Sequence, residues 1–194
     1  MQPTSLQVIR DEHAALAAML LSLQLMVERG PGDAPESFFD VVRAMLFYID
    51  EFPEKLHHPM ESDVLFPRVA RLSPQTRPLI ERLDRDHMKG ESAVRELQHR
   101  LLAWELMGES RREAFETEAR KYLDFYLEHM RLEETEILPE AKRLFDADDW
   151  KALDAVFGVS RDPLVSGAAR DGNYNRLFTR ILMKAPAPIG VGPA

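Results

Sequence analysis

The chain has 194 residues, 45% hydrophobic and 30% charged, which suits one folded domain with a substantial core and not a disordered chain. It contains no cysteine, so disulfides, iron–sulfur clusters, thiolate-bound zinc and thiol nucleophiles are excluded, and any metal must be held by His, Asp, Glu or Tyr. Its 25 basic and 33 acidic residues leave a formal charge of −8, which argues against nucleic-acid binding because neutralising phosphates needs clustered Lys and Arg.

In the first segment Leu6, Ile9, His13, Leu16, Leu20, Leu23 and Val27 recur at steps of three and four, which predicts an amphipathic helix. Thr4 and Gln7 have capping-box spacing at its start, and Gly30, Pro31, Gly32 and Pro35 end it. Its most apolar part, Ala14 to Val27, is broken by Ser22 and Gln24 and falls short of the ~20 apolar residues a membrane span needs. Asp11 and Glu12 stand where a signal peptide would be basic, so the expectation is a cytoplasmic protein without membrane contact.

The second helix runs from about Ser37 towards Pro67, with Phe38, Val42, Met45 and Ile49 on one face; Pro53 and Pro59 inside it predict a kink or a short break. The third begins at Ser73-Pro74 and carries Ile80, Leu83, His87, Gly90, Val94, Leu97, Leu101 and Trp104 in helical phase up to Gly108. The fourth begins at Ser110 with Glu113 at capping-box spacing, aligns Phe115, Tyr122, Tyr126, His129 and Leu132, and is bent or ended at Pro139. Further on, Asp146 and Asp149 can cap a short helix holding Trp150, Leu153, Val156 and Phe157, and Tyr174, Leu177, Phe178, Ile181 and Leu182 form another apolar face.

Long amphipathic helices with short connections predict an all-α fold, an antiparallel four-helix bundle with additional short C-terminal helices. The expected divisions are the bundle over residues 1–145, a helical extension packed on it over 146–184, and a Pro/Gly-rich extended tail over 185–194.

Of the 6 histidines, His13, His87 and His129 lie inside the apolar stripes of three different helices, and His57 falls in the second helix near its prolines. A buried imidazole needs a partner for both ring nitrogens, and one shared metal centre would serve all of these residues together. His57–Glu61, His87–Glu91 and His129–Glu133 each pair an imidazole with a carboxylate four residues on, so both side chains point the same way one turn apart. The candidate ligands are therefore His13, His57, Glu61, His87, Glu91, His129 and Glu133, more than one six-coordinate ion can hold. An alternative at the third helix is that Gly90 faces inward and Glu91 points past the metal. Glu134, one residue beyond Glu133, is turned away on phase. His99 is rotated ~200° from its stripe and should face solvent, and His58 is ~100° from His57, outside the expected ligand set. Tyr126 reads as a core aromatic that could also line the pocket.

The strings RDEH at 10–13, HHPMESDVLFP at 57–67, DHMKGE at 86–91 and HMRLEETEILP at 129–139 resemble the hemerythrin-like, or HHE cation-binding, family. The resemblance spans about Gln7 to Phe145 and implies an up-and-down four-helix bundle holding a non-haem di-iron centre, two Fe ions joined by an oxo or hydroxo bridge. His and carboxylate ligands also suit Mn and Zn, and only the resemblance favours iron. It implies a metal-binding protein that binds or senses O2, NO or iron. Alternatives are a di-iron enzyme acting on peroxide or O2, catalase-like or stress-protective, and a metal-poor interaction module that forms a homodimer through the helix around Tyr174 to Leu182. The sequence departs from the O2 carriers of the family at Glu91, where they have a histidine. A carboxylate ligand there would favour the ferric state and weigh against reversible oxygenation.

Overall fold

The computed structural model describes residues 4–165 and 172–192; residues 166–171 of the expected extension and 193–194 of the expected tail lie outside the described residues. Helix α1 spans Thr4–Arg29. It stops at Gly30, whose φ of 73° is a left-handed conformation that a side chain would disfavour. The guanidinium of Arg112, at the start of the fourth helix, donates to the last carbonyls of α1, Val27 O and Glu28 O, at 3.3 Å each. Helix α2 spans Pro35–Ile49 with proline in its first turn.

No break follows at Pro53 or Pro59. The rod continues through π-helical Asp50–His57, a single turn at His58–Met60, π-helical Glu61–Leu65 and α-helical Phe66–Leu72. Proline removes an N–H from the ladder, and the wider i→i+5 pattern absorbs that loss without ending the helix. Helix α3 spans Arg77–Met107, entered through a 3-10 turn at Pro74–Thr76. Helix α4 spans Arg112–Leu132, entered through a 3-10 turn at Glu109–Arg111, and passes through π-helical Glu133–Ile137 into Leu138–Leu144, where Pro139 sits in the first turn. The expected serine caps do not form: Ser73 donates its hydroxyl to Glu140 at 2.7 Å, and α4 begins without a side-chain cap. Gln7 donates to Asp11 at 2.7 Å. The expected cap at Asp146 does form, accepting from the N–H groups of Asp148 and Asp149 at 2.9 Å, whereas Asp149 takes the Arg71 guanidinium at 2.7 Å.

α1 packs on α4, α3 on α4, and α2 on both α1 and α3, giving an all-helical four-helix bundle. Its core is divided into two apolar clusters. One holds Leu16, Leu20, Met45, Ile49, Leu97, Trp104 and Tyr122. The other, at the opposite end, holds Leu6, Ile9, Phe66, Leu83, Ile137 and Leu138. Each fully buried aliphatic or aromatic side chain contributes ~1.5–3 kcal/mol, so the two clusters dominate the stability. Between them every apolar stripe is interrupted by polar residues.

Helix α5 (Ala147–Phe157) places Leu153 and Phe157 in the second cluster, and its Asp154 accepts from the Ser5 N–H in the first turn of α1 at 2.9 Å. Helix α6 (Asn175–Lys184) buries Phe178 and Ile181 in the first cluster, against Tyr48 and Phe52 of the second rod. The chain beyond it is pinned rather than loose. Ser22 of α1 donates to Pro186 O at 2.8 Å and accepts from Ile189 N–H at 3.0 Å. No helix among the described residues is long and apolar enough to cross a membrane.

Between α5 and α6, the buried Asp162 takes the Tyr48 hydroxyl and the Leu164 N–H. Burial pushes its carboxyl from 3.8 up to about 6, against the pull of those two donors. The folded chain thus keeps a proton that the unfolded chain releases, so this residue's contribution to stability declines as pH rises from 3.8 to about 6. The decline is on the order of 3 kcal/mol at most. Asp162→Asn removes the titrating group while keeping hydrogen-bonding capacity. Thermal melts between pH 4 and 7 should show a flatter pH dependence in the variant; equal slopes in both proteins would contradict this origin.

Candidate metal centre

The polar layer between the clusters draws on all four rods. α1 supplies His13, the second rod His57 and Glu61, α3 His87, and the fourth rod His129 and Glu133, all of them buried. Their Nε2 atoms converge. His13 Nε2 lies 3.2 Å from His57 Nε2, and His87 Nε2 lies 3.0 Å from His129 Nε2. Glu61 and Glu133 stand between these two imidazole pairs. Glu61 turns Oε1 to His57 Nε2 at 3.1 Å and Oε2 to His87 Nε2 at 3.5 Å. Glu133 turns Oε2 to His13 Nε2 at 3.3 Å and Oε1 to His129 Nε2 at 3.2 Å.

The opposite nitrogens are held from outside. His13 Nδ1 bonds Glu134 at 3.0 Å and His57 Nδ1 bonds Glu12 at 2.6 Å. His87 Nδ1 bonds Ser62 at 2.9 Å, and the Ser62 hydroxyl donates onward to Asp84 at 2.7 Å. Ser160, from the segment after α5, donates to the other oxygen of Glu12 at 2.5 Å. Outer carboxylates that take the Nδ1 proton fix the tautomer and aim Nε2 inward, as metal-bound histidines require. His129 Nδ1 has no hydrogen bond, and the nearest carboxylate, Asp86, stands 4.0 Å away.

The donor set fits a metal. Glu61 and Glu133 are 0% exposed, and none of their four carboxylate oxygens has a hydrogen-bond partner. Buried charge without such partners is costly unless a cation answers it. Burial alone would raise the Glu61 carboxyl, but the charge of His57 and contacts with His13 and His87 hold it well below the usual carboxylate range. Burial and the charge of Glu61 act the same way on Glu133, and His129 and His13 overcome them. Conversely, burial works against charge on the imidazoles, yet the carboxylates win. His57 is raised to about 10, with Glu61 and Glu12 responsible, and His87 to about 9, with Glu133 and Glu61 responsible. His13 is raised by Glu133, Glu134 and Glu61. The site thus gathers positive charge, and bound metal would take the place of those protons.

Glu91 is not part of the cluster. Its side chain is 46% exposed and pairs with Arg95 at 2.5 Å. The buried residues of α3, from Ile80 to Trp104, centre the inward direction on the side of His87 away from Glu91, which leaves Glu91 ~80° off. The same construction on α4 leaves Glu133 only ~20° off. Gly90 takes the inward position. A Cβ there would lie 1.7 Å from the Tyr126 hydroxyl oxygen, so only glycine leaves that oxygen its place.

His58, expected outside the ligand set, is buried against two of the candidate ligands, His87 and His129. The rod passes from π- to α-helix between His57 and His58, so a uniform ~100° step does not describe their relative direction, and both rings are buried. Ligand atoms of His58, His87 and His129 all lie within 4.8 Å of one another. Burial lowers the His58 pKa to about 4 despite its bond to Glu54. Glu54 in turn accepts the hydroxyls of Tyr122 and Tyr126 at 2.6 Å each. Glu134 reaches His13 after all, as an outer partner, and His99 is exposed as its phase requires.

No curated protein matches the chain. The Hemerythrin HHE cation binding domain, in contrast, matches residues 4–141, which take in the four rods but for the last turn of the fourth, and every His and Glu of the cluster. With that match on the bundle and a buried His/Glu centre at its middle, the chain belongs to the hemerythrin HHE cation-binding family.

Proposed function

We propose that the chain is a non-haem di-iron protein that binds or senses a small ligand, O2, NO or peroxide, in the bundle core. The observation that carries this reading is the pair of buried carboxylates, Glu61 with its oxygens towards His57 and His87 and Glu133 with its oxygens towards His13 and His129, none of those oxygens hydrogen-bonded by the protein. His13 and His57 would hold one ion, His87 and His129 a second, with Glu61 and Glu133 shared between them. Iron is favoured over Mn or Zn by the family match, and a pair of irons would supply reversible redox chemistry.

The protein's own part is to fix and to seal. Glu12, Glu134 and Ser62 hold the imidazoles in the tautomer that presents Nε2. Phe66, Tyr126 and Phe157 lie against the rings of His87, His129 and His57 and keep bulk water from the carboxylates. Because Glu91 is remote, the extra negative charge it would have brought is absent from the centre, and the reason to disfavour reversible O2 binding goes with it.

Anaerobic loading with Fe(II), followed by air oxidation, should give two irons per chain by elemental analysis and a near-ultraviolet band of a bridged ferric pair. One ion per chain would remove the shared role of Glu61 and Glu133. His129→Ala should lose metal and abolish the rise in melting temperature that loading produces, since bound metal stabilises only the folded state. His99→Ala should change stability by no more than ~0.5 kcal/mol, as at ordinary surface sites. Glu91→Gln should leave metal content, spectrum and reduction potential unchanged, and a shift in any of them would place Glu91 back at the centre.

A further inference from the structure

We propose that the groove between α1 and α4 is a binding site for a small amphipathic carboxylate, which lays its aliphatic chain between the helices and its head group on Arg120.

The groove encloses about 230 Å³. Its walls are Leu20, Leu23 and Val27 of α1 with Ala119 and Leu123 of α4, each of them buried. The buried face of α4 otherwise carries Phe115, Tyr122, Leu123, Tyr126, His129 and Met130, and only Ala119 among them is as small as a methyl group. Aliphatic walls offer water no hydrogen bond, so this space favours an apolar occupant. Size then sets the class. An engineered core cavity of ~150 Å³ takes up benzene, whereas pockets for drug-sized ligands run to ~300–1,000 Å³. A groove of about 230 Å³ falls between them, which suits a short hydrocarbon body and excludes a nucleotide cofactor.

The rim supplies the charge. Arg112 closes one end, its guanidinium engaged with Glu116 at 2.5 Å, with Val27 O and Glu28 O, and with the face of Trp104. Glu28 accepts the Gln24 amide at 2.8 Å. Arg120 is exposed, eight residues on from Arg112 and ~12 Å along α4. Of the charged side chains that line the groove, it alone has no hydrogen-bond or ion-pair partner among the described residues. An apolar slot with one unpartnered guanidinium at its rim is complementary to a carboxylate on an aliphatic chain. The walls provide most of the affinity, and the exposed Arg120 provides the preference for an anion. No residue of the groove belongs to the polar layer, so the site stands independently of the metal-binding reading.

Calorimetric titration of octanoate into the full chain, with and without metal, tests the proposal. One octanoate should bind per chain with a Kd on the order of 0.1–1 mM in both states, and uncharged 1-octanol should bind about fivefold more weakly. Arg120→Glu should weaken octanoate about fivefold or more and leave 1-octanol unchanged. Ala119→Leu fills the groove, so it should abolish binding of both while keeping or raising the melting temperature. The absence of saturable octanoate binding overturns the proposal, and so does an unchanged octanoate affinity in Arg120→Glu. Binding only when metal is present places the carboxylate at the metal centre and overturns it as well. If Ala119→Leu does not fold, a crystal structure of the octanoate complex decides: a chain lying along Leu23 and Ala119 supports the site, and one lying elsewhere overturns it.

Discussion

Two carboxylates in the middle of a hydrophobic core are the constraint on which the rest of the structure depends. Glu61 and Glu133 are fully buried, close to each other, and without hydrogen bonds of their own. Such a pair is tolerable only inside an envelope of positive charge, whether that charge is carried by protons on imidazoles or by metal. The inward histidines, one from every rod, are placed to carry it or to hold the metal that does. The division of the core follows, because apolar packing must stop on either side of a polar layer and resume beyond it. The clusters at the two ends clamp the helices, and the layer between them is free to be built for chemistry.

Outside the carboxylates lies a second set of oxygens whose work is directional, and its two halves differ in origin. On the α1/α2 side the chain runs from His57 to Glu12 to Ser160, so part of the support comes from the segment after α5, far away in sequence. On the α3/α4 side it runs from His58 to Glu54 to Tyr122 and Tyr126, entirely within the bundle. The C-terminal elements therefore do more than cover apolar surface: they complete the hydrogen bonding of one imidazole pair while Leu153, Phe157, Phe178 and Ile181 extend the two apolar clusters.

Much of this was legible in the sequence, and the limits have physical causes. The stripes of apolar residues at steps of three and four mark all four rods, and one histidine interrupting each stripe marks the polar layer. The serine caps failed because cap chemistry competes with tertiary partners: Ser73 faces Glu140 across the fold, and local spacing does not contain that contact. Glu12, Ser62 and Ser160 carried no signal beyond adjacency to a ligand or none at all, since an outer hydrogen bond between distant segments leaves no periodic trace. That His58 would pack against His87 and His129 was not legible, because the phase rule assumes one helical pitch, and the prolines at 53 and 59 sit in a rod that departs from it.

Glu91 shows the other side of the same rule. The spacing that joins His57 to Glu61 and His129 to Glu133 also joins His87 to Glu91, yet only the first two pairs reach the centre. A four-residue step overshoots a full turn by ~40°, so whether its second member faces inward depends on which side of the first the helix turns to the core. On α4 the apolar neighbours of His129 lie towards Glu133; on α3 those of His87 lie away from Glu91, towards Gly90. The stripe already held that information in Leu83, Val94 and Leu97. In a bundle site, the direction of a ligand pair is set by the apolar residues a turn above and below it, and a glycine on the inward line is as informative as a carboxylate beside it.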